Sequence, residues 1–199
     1  MKSNVCRIEN GTKDLDAILK ESERVAEYNG LTTKQALQLR LLCEEIDGML
    51  PNIIDDFDGD LWIEFEGGVC KVRVSVKIPE LNAGKKEDLI KLSKTNCNAA
   101  AVGIVGKIRN AIENFFLNEE SDGNFVAASS TFHFSTGYSE GVDYAYLWSL
   151  EKYRNNVDLE EEKEAWDELE KSVIASVADD VIVGVKGNQA DITVVKNFI

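Results

Sequence analysis

Two periodicities run along the chain. Apolar and polar positions alternate at Leu61, Ile63 and Phe65 and again at Val72, Val74, Val76 and Ile78, with Gly67-Gly68 between them. Period two with a glycine pair in the middle predicts a β-hairpin with one buried face. Val181, Val183 and Val185 alternate in the same way, Gly187-Asn188 turns, and Ile192 and Val194 return, which predicts a closing hairpin. A short strand is expected over 5–8. Helical spacing appears between these segments. Leu15, Ile18, Leu19, Val25 and Ala26 predict a helix over 12–29, with Gly30 as its C-terminal cap. Ala36, Leu39, Cys43, Ile46 and Leu50 predict a second over 31–50. Thr32 and Gln35 have capping-box spacing at its start, and Pro51 is expected to close it.

Residues 55–60 read as an acidic turn and 81–86 as a loop. A long helix is expected over 87–116, with Ile104, Ile108, Ile112 and Phe115 on one side. A loop over 118–124, a strand over 125–135 and a helix over 141–153 follow. Asp158 caps a helix predicted over 158–178, with Trp166, Leu169, Val173 and Val177 as its inner stripe. Helices before and after antiparallel pairs imply an α+β two-layer sandwich: a mixed, mainly antiparallel sheet with helices on one face. The length suits a single domain over 1–199.

Charge narrows the classes of function. Lys+Arg number 22 against 36 Asp+Glu, a formal net charge of −14. That balance argues against nucleic acid and anionic membrane surfaces as partners, since both select cationic patches. The most apolar stretch, 99–106, is far short of the roughly 20 residues a membrane helix needs. The first residues, Met1-Lys2-Ser3-Asn4-Val5, carry no apolar run of the signal-peptide kind. The expected location is therefore the cytoplasm, where Cys6, Cys43, Cys70 and Cys97 read as reduced core thiols. No CxxC pair occurs, and His133 is the single histidine, so a structural zinc is not expected. His133 sits between Phe132 and Phe134 and reads as an ordinary strand residue.

Gln38-Leu39-Arg40-Leu41-Leu42-Cys43-Glu44-Glu45-Ile46-Asp47-Gly48-Met49 and the closing Ala178-Asp179-Asp180-Val181, Gly187-Asn188 and Ile192-Thr193-Val194-Val195-Lys196 together resemble the GHKL ATPase fold. The resemblance is to its compact anti-sigma-factor serine kinase form and covers 1–78 and 172–199, about half of the chain. It implies a Bergerat-like sandwich with an enlarged insertion at about 80–165 in the place of the ATP lid. It also implies that Glu44 stands where the family has its general base. The family's Mg²⁺-binding Asn, four residues later and one helical turn on, corresponds to Gly48, which has no side-chain ligand.

The remaining family motifs also depart. Val76-Lys77-Ile78-Pro79-Glu80 stands where a DxGxG motif would bind adenine, and Lys77 cannot accept a hydrogen bond from the adenine amino group. Glu168-Leu169-Glu170-Lys171-Ser172 stands where glycines would cradle phosphates, and its acids repel them. Val102-Gly103-Ile104-Val105-Gly106-Lys107 lies inside a helical pattern and lacks a P-loop ending.

The implied reading is a regulatory protein of nucleotide-impaired GHKL type, acting by contact with a basic protein partner and using no cofactor. Glu45, Asp47, Gly48 and Lys77 would line its vestigial nucleotide pocket. The alternative is a serine protein kinase using ATP and Mg²⁺. Glu44 would then be its base, and Glu45 or Asp47 a rewired metal ligand. A third reading is a domain of no recognisable family that binds a small ligand in its insertion. Asp56-Phe57-Asp58-Gly59-Asp60 opens like a calcium loop, but Leu61 and Gly67 occupy the positions of its Gly and its bidentate Glu, so a solvated turn is expected. The acids over 160–170 offer a solvated helix face or a surface for a basic partner. Tyr138, Tyr144, Tyr146, Trp148 and Tyr153 offer core packing or a binding surface.

Overall fold

The computed structural model describes residues 1–9, 15–54, 56–78, 103–118, 146–156 and 172–198. In chain order these form β1 (Cys6–Glu9), α1 (Leu15–Tyr28), α2 (Thr33–Ile53), β2 (Asp58–Glu66), β3 (Val69–Lys77), α3 (Gly103–Asn118), β4 (Tyr146–Ser149), α4 (Leu150–Asn156), α5 (Val173–Val177), β5 (Asp180–Lys186) and β6 (Gln189–Asn197). The strands make one six-stranded open sheet in the order β1-β2-β3-β6-β5-β4. Every neighbouring pair is antiparallel, so the described sheet is not mixed.

One face of the sheet carries the core. Leu61, Ile63, Val72, Val74, Val76, Val181, Val183, Val185, Ile192 and Val194 are buried in one cluster with Ile18 and Val25 of α1, Leu39, Cys43, Ile46 and Leu50 of α2, Ile108 of α3 and Ile174 of α5. The α+β class and the two buried hairpins are as expected. Gly67 and Gly68 both have positive φ, +56° and +84°, which the tight turn between β2 and β3 requires and side-chain-bearing residues resist. Gly59 is needed for a different reason. A Cβ there would sit 2.3 Å from the Ser75 carbonyl oxygen.

Both sides of the junction between α1 and α2 follow the sequence signals. Gly30 N–H donates to the Glu27 carbonyl at 3.1 Å and Leu31 N–H to that of Ala26 at 3.0 Å, the paired bonds of a Schellman cap. The capping box of α2 forms between Thr32 and Gln35. The Gln35 amide also donates to the Phe198 carbonyl at 2.8 Å, tying the last described residue to α2.

Several expectations need correction. β1 spans Cys6–Glu9, shifted from 5–8, and α1 ends at Tyr28, one residue short of 29; the expected helix residues 12–14 lie outside the described residues. Pro51 does not close α2, which runs on to Ile53. A proline in a helix interior costs about 3 kcal/mol, but burying an Ile or Leu side chain returns roughly 1.5–3 kcal/mol each. Leu50, Ile53 and Ile54 are all buried here. The acids of 55–60 are not all turn. Asp58 and Asp60 lie in β2, where Arg7 of β1 ion-pairs with both.

The helix expected over 141–153 is, where described, the strand β4 followed by α4. β4 pairs with β5, Trp148 opposite Val183. The switch from strand to helix falls at Ser149, whose Oγ accepts from Lys152 N–H at 3.4 Å. Of the helix expected over 158–178, only residues 172–178 are described. There Ser172 has extended backbone (ψ 130°), and its side chain caps α5. α3 begins at Gly103, so that glycine opens the helix instead of lying inside it. The expectations for 81–86, 87–102, 119–145 and 158–171, with His133, Cys97, Tyr138, Tyr144, Trp166 and Leu169, lie outside the described residues. No described helix is long and apolar enough to cross a membrane.

The N-terminal segment continues the β1 edge with a fault in it. Ser3 N–H donates to the Ile63 carbonyl at 2.8 Å, while Cys6 pairs with Leu61. Asn4 and Val5 therefore face the single residue Trp62, which is a β-bulge. The Glu21 carboxylate of α1 fixes it, accepting from Asn4 N–H at 2.9 Å and from Asn4 Nδ2 at 3.0 Å.

Candidate functional site

α2 places the residues singled out for chemistry. Its buried stripe of Leu39, Leu42, Cys43, Ile46, Leu50 and Ile53 faces the sheet. Glu44 and Gly48, four apart, share the opposite, outward side. The Glu44 side chain is 37% exposed, and its Oε1 lies 3.1 Å from Arg40 Nε. Arg40 also reaches Glu23 of α1, Nη1 to Oε1 at 2.8 Å. The guanidinium thus bridges the two helices and engages the carboxylate expected to serve as base. Gly48 is exposed, and a Cβ built there meets nothing within 4 Å. Glu45 and Asp47 flank it, half-buried.

Lys77 is not brought to this place. It is exposed at the end of β3, opposite Asp58 and Gln189 in register. Its neighbour Val76 points into the core, so Lys77 points to the face away from the helices. The sheet lies between Lys77 and the Glu44 side of α2. No group of three or more His, Cys, Asp or Glu among the described residues is arranged to hold a metal ion. Asp58 and Asp60 of the calcium-like segment are engaged by Arg7. Cys6, Cys43 and Cys70 are buried thiols, not joined in disulfides. Burial pushes the Cys70 thiol up to about 12. Burial also raises Cys43, with Cys70, Cys6 and Glu44 adding to the shift. Of the aromatic group, Trp148 and Tyr153 come together with ring centroids 6.4 Å apart, and Lys107 Nζ lies 4.4 Å from the Tyr153 ring centre. Both aromatics pack against the core, as does Val105 beside the buried Gly106.

Two polar centres have roles that the sequence reading does not assign. The Asp179-Asp180 pair does structural work in both directions. Asp179 accepts from Lys196 Nζ at 2.8 Å and from Asn197 N–H at 2.6 Å, fastening the end of β6. Asp180 is buried and accepts from Ser149 Oγ at 3.0 Å, Glu151 N–H at 2.9 Å and Val181 N–H at 2.8 Å. It joins β5 to the strand-to-helix switch at β4. A pair of acids immediately before an alternating strand is a cue to such anchoring, but the groups they fasten lie far off in sequence. The second centre lies on the face of the sheet away from α1 and α2. Glu64 accepts from Trp62 Nε1 and Arg73 Nε, both at 2.7 Å, and Lys2 Nζ sits 4.7 Å from the Trp62 ring centre. Partial burial pushes the Glu64 carboxyl up, but the Trp62 hydrogen bond, Arg73 and Lys2 outweigh it and hold it below the ordinary glutamate value.

These groups hold the fold together. They do not assemble a nucleophile, a base and an anion cradle in one place. The chain matches no protein-family model, no curated protein and no solved structure.

Proposed function

We propose that the protein is a GHKL-like regulatory domain that works by protein–protein contact and does not turn over ATP. One observation carries the reading: the Glu44 carboxylate is held by Arg40, which is held in turn by Glu23. A general base must be free to reach its substrate's proton, and here a carboxylate oxygen is already engaged by a guanidinium. The open space at Gly48 supports the same reading, because no side chain there can hold Mg²⁺ beside Glu44. The net charge of −14 favours a partner with basic surface.

Calorimetry of the full chain with ATP and Mg²⁺ tests the proposal. The expected result is no Mg²⁺-dependent binding. Micromolar, Mg²⁺-dependent binding overturns it in favour of a serine kinase with Glu45 or Asp47 as metal ligand. Phosphotransfer abolished in Glu44→Ala would then establish that second activity. On the binding side, a protein partner recovered from the native host and purified should bind the chain directly, and more weakly as salt rises.

A further inference from the structure

We draw no further inference here: the strongest candidate, the exposed apolar side chains of Met1, Val5 and Tyr28 along the edge where the N-terminal strand segment meets α1, carries nothing because nothing in the structure shows what covers it.

Discussion

Gly48→Ala tests both the stability of α2 and the openness of its outward side. Gly48 lies within α2, is exposed, and has no positive φ. Alanine is favoured over glycine inside a helix by about 1 kcal/mol, because glycine loses more backbone freedom on folding. The new methyl group meets nothing within 4 Å, so neither clash nor burial changes that figure. The variant should be more stable by about 1 kcal/mol. For a chain of this size that is a rise of about 2–4 °C in melting temperature. In urea it is a midpoint shift of about 0.5 M for an m-value near 2 kcal/mol/M. Equilibrium urea unfolding followed by far-UV circular dichroism is the assay, because it returns the midpoint and the slope separately. An unchanged slope with a higher midpoint is the expected result. A lower midpoint would refute the reasoning, since it would mean that the outward side of α2 is not open at Gly48.

Three further outcomes are expected. Gly59→Ala should cost about 3 kcal/mol or more, because its Cβ would fall 2.7 Å from Val76 Cγ1 as well as against Ser75 backbone; a loss under 1 kcal/mol in the same urea assay contradicts the close approach. Asp180→Ala removes the acceptor for Ser149 and Glu151 and should cost about 1–3 kcal/mol, with Asp180→Asn recovering part of it, whereas equal stability of all three proteins counts against the anchoring role. The Glu64 carboxyl is lowered from 4.5 in the folded state, so its stabilisation is full above that value and fades as pH falls through the lowered one. Glu64→Gln should flatten that acid limb of the stability curve, and an acid slope identical to that of the parent chain would show that Glu64 does not set it.

The hairpins and the first two helices were legible because their signals are local. Gly67-Gly68 sits within a few residues of the alternation it turns, and Thr32 caps a helix with Gln35 from the same turn. What was misread depends on distant partners. Asp58 and Asp60 look like a solvated turn until Arg7 is placed beside them by strand pairing. Tyr146-Leu147-Trp148 is a short apolar run that fits helix or strand, and pairing with β5 decides it. Pro51 is a stop signal that buried Leu50 and Ile53 override. The candidate site divides along the same line. The composition of α2 was readable, and the i,i+4 pairing of Arg40 with Glu44 was within its reach. The second anchor, Glu23, comes from another helix. The outward direction of Lys77 follows from simple alternation once Val76 is taken as buried, so that misplacement was avoidable.

The bulge at Asn4 and Val5 also governs how the molecule behaves in company. Among the described strands β1 is the terminal one, with four residues in regular register before the bulge interrupts it. Another chain seeking to extend the sheet along this border finds a short run and then a kink, which resists edge-to-edge association. That protection depends on a contact outside the sheet, the Glu21 carboxylate on Asn4. The irregularity of this border is therefore set by a helix side chain, and a substitution at Glu21 would release Asn4 and relax the bulge that interrupts the strand.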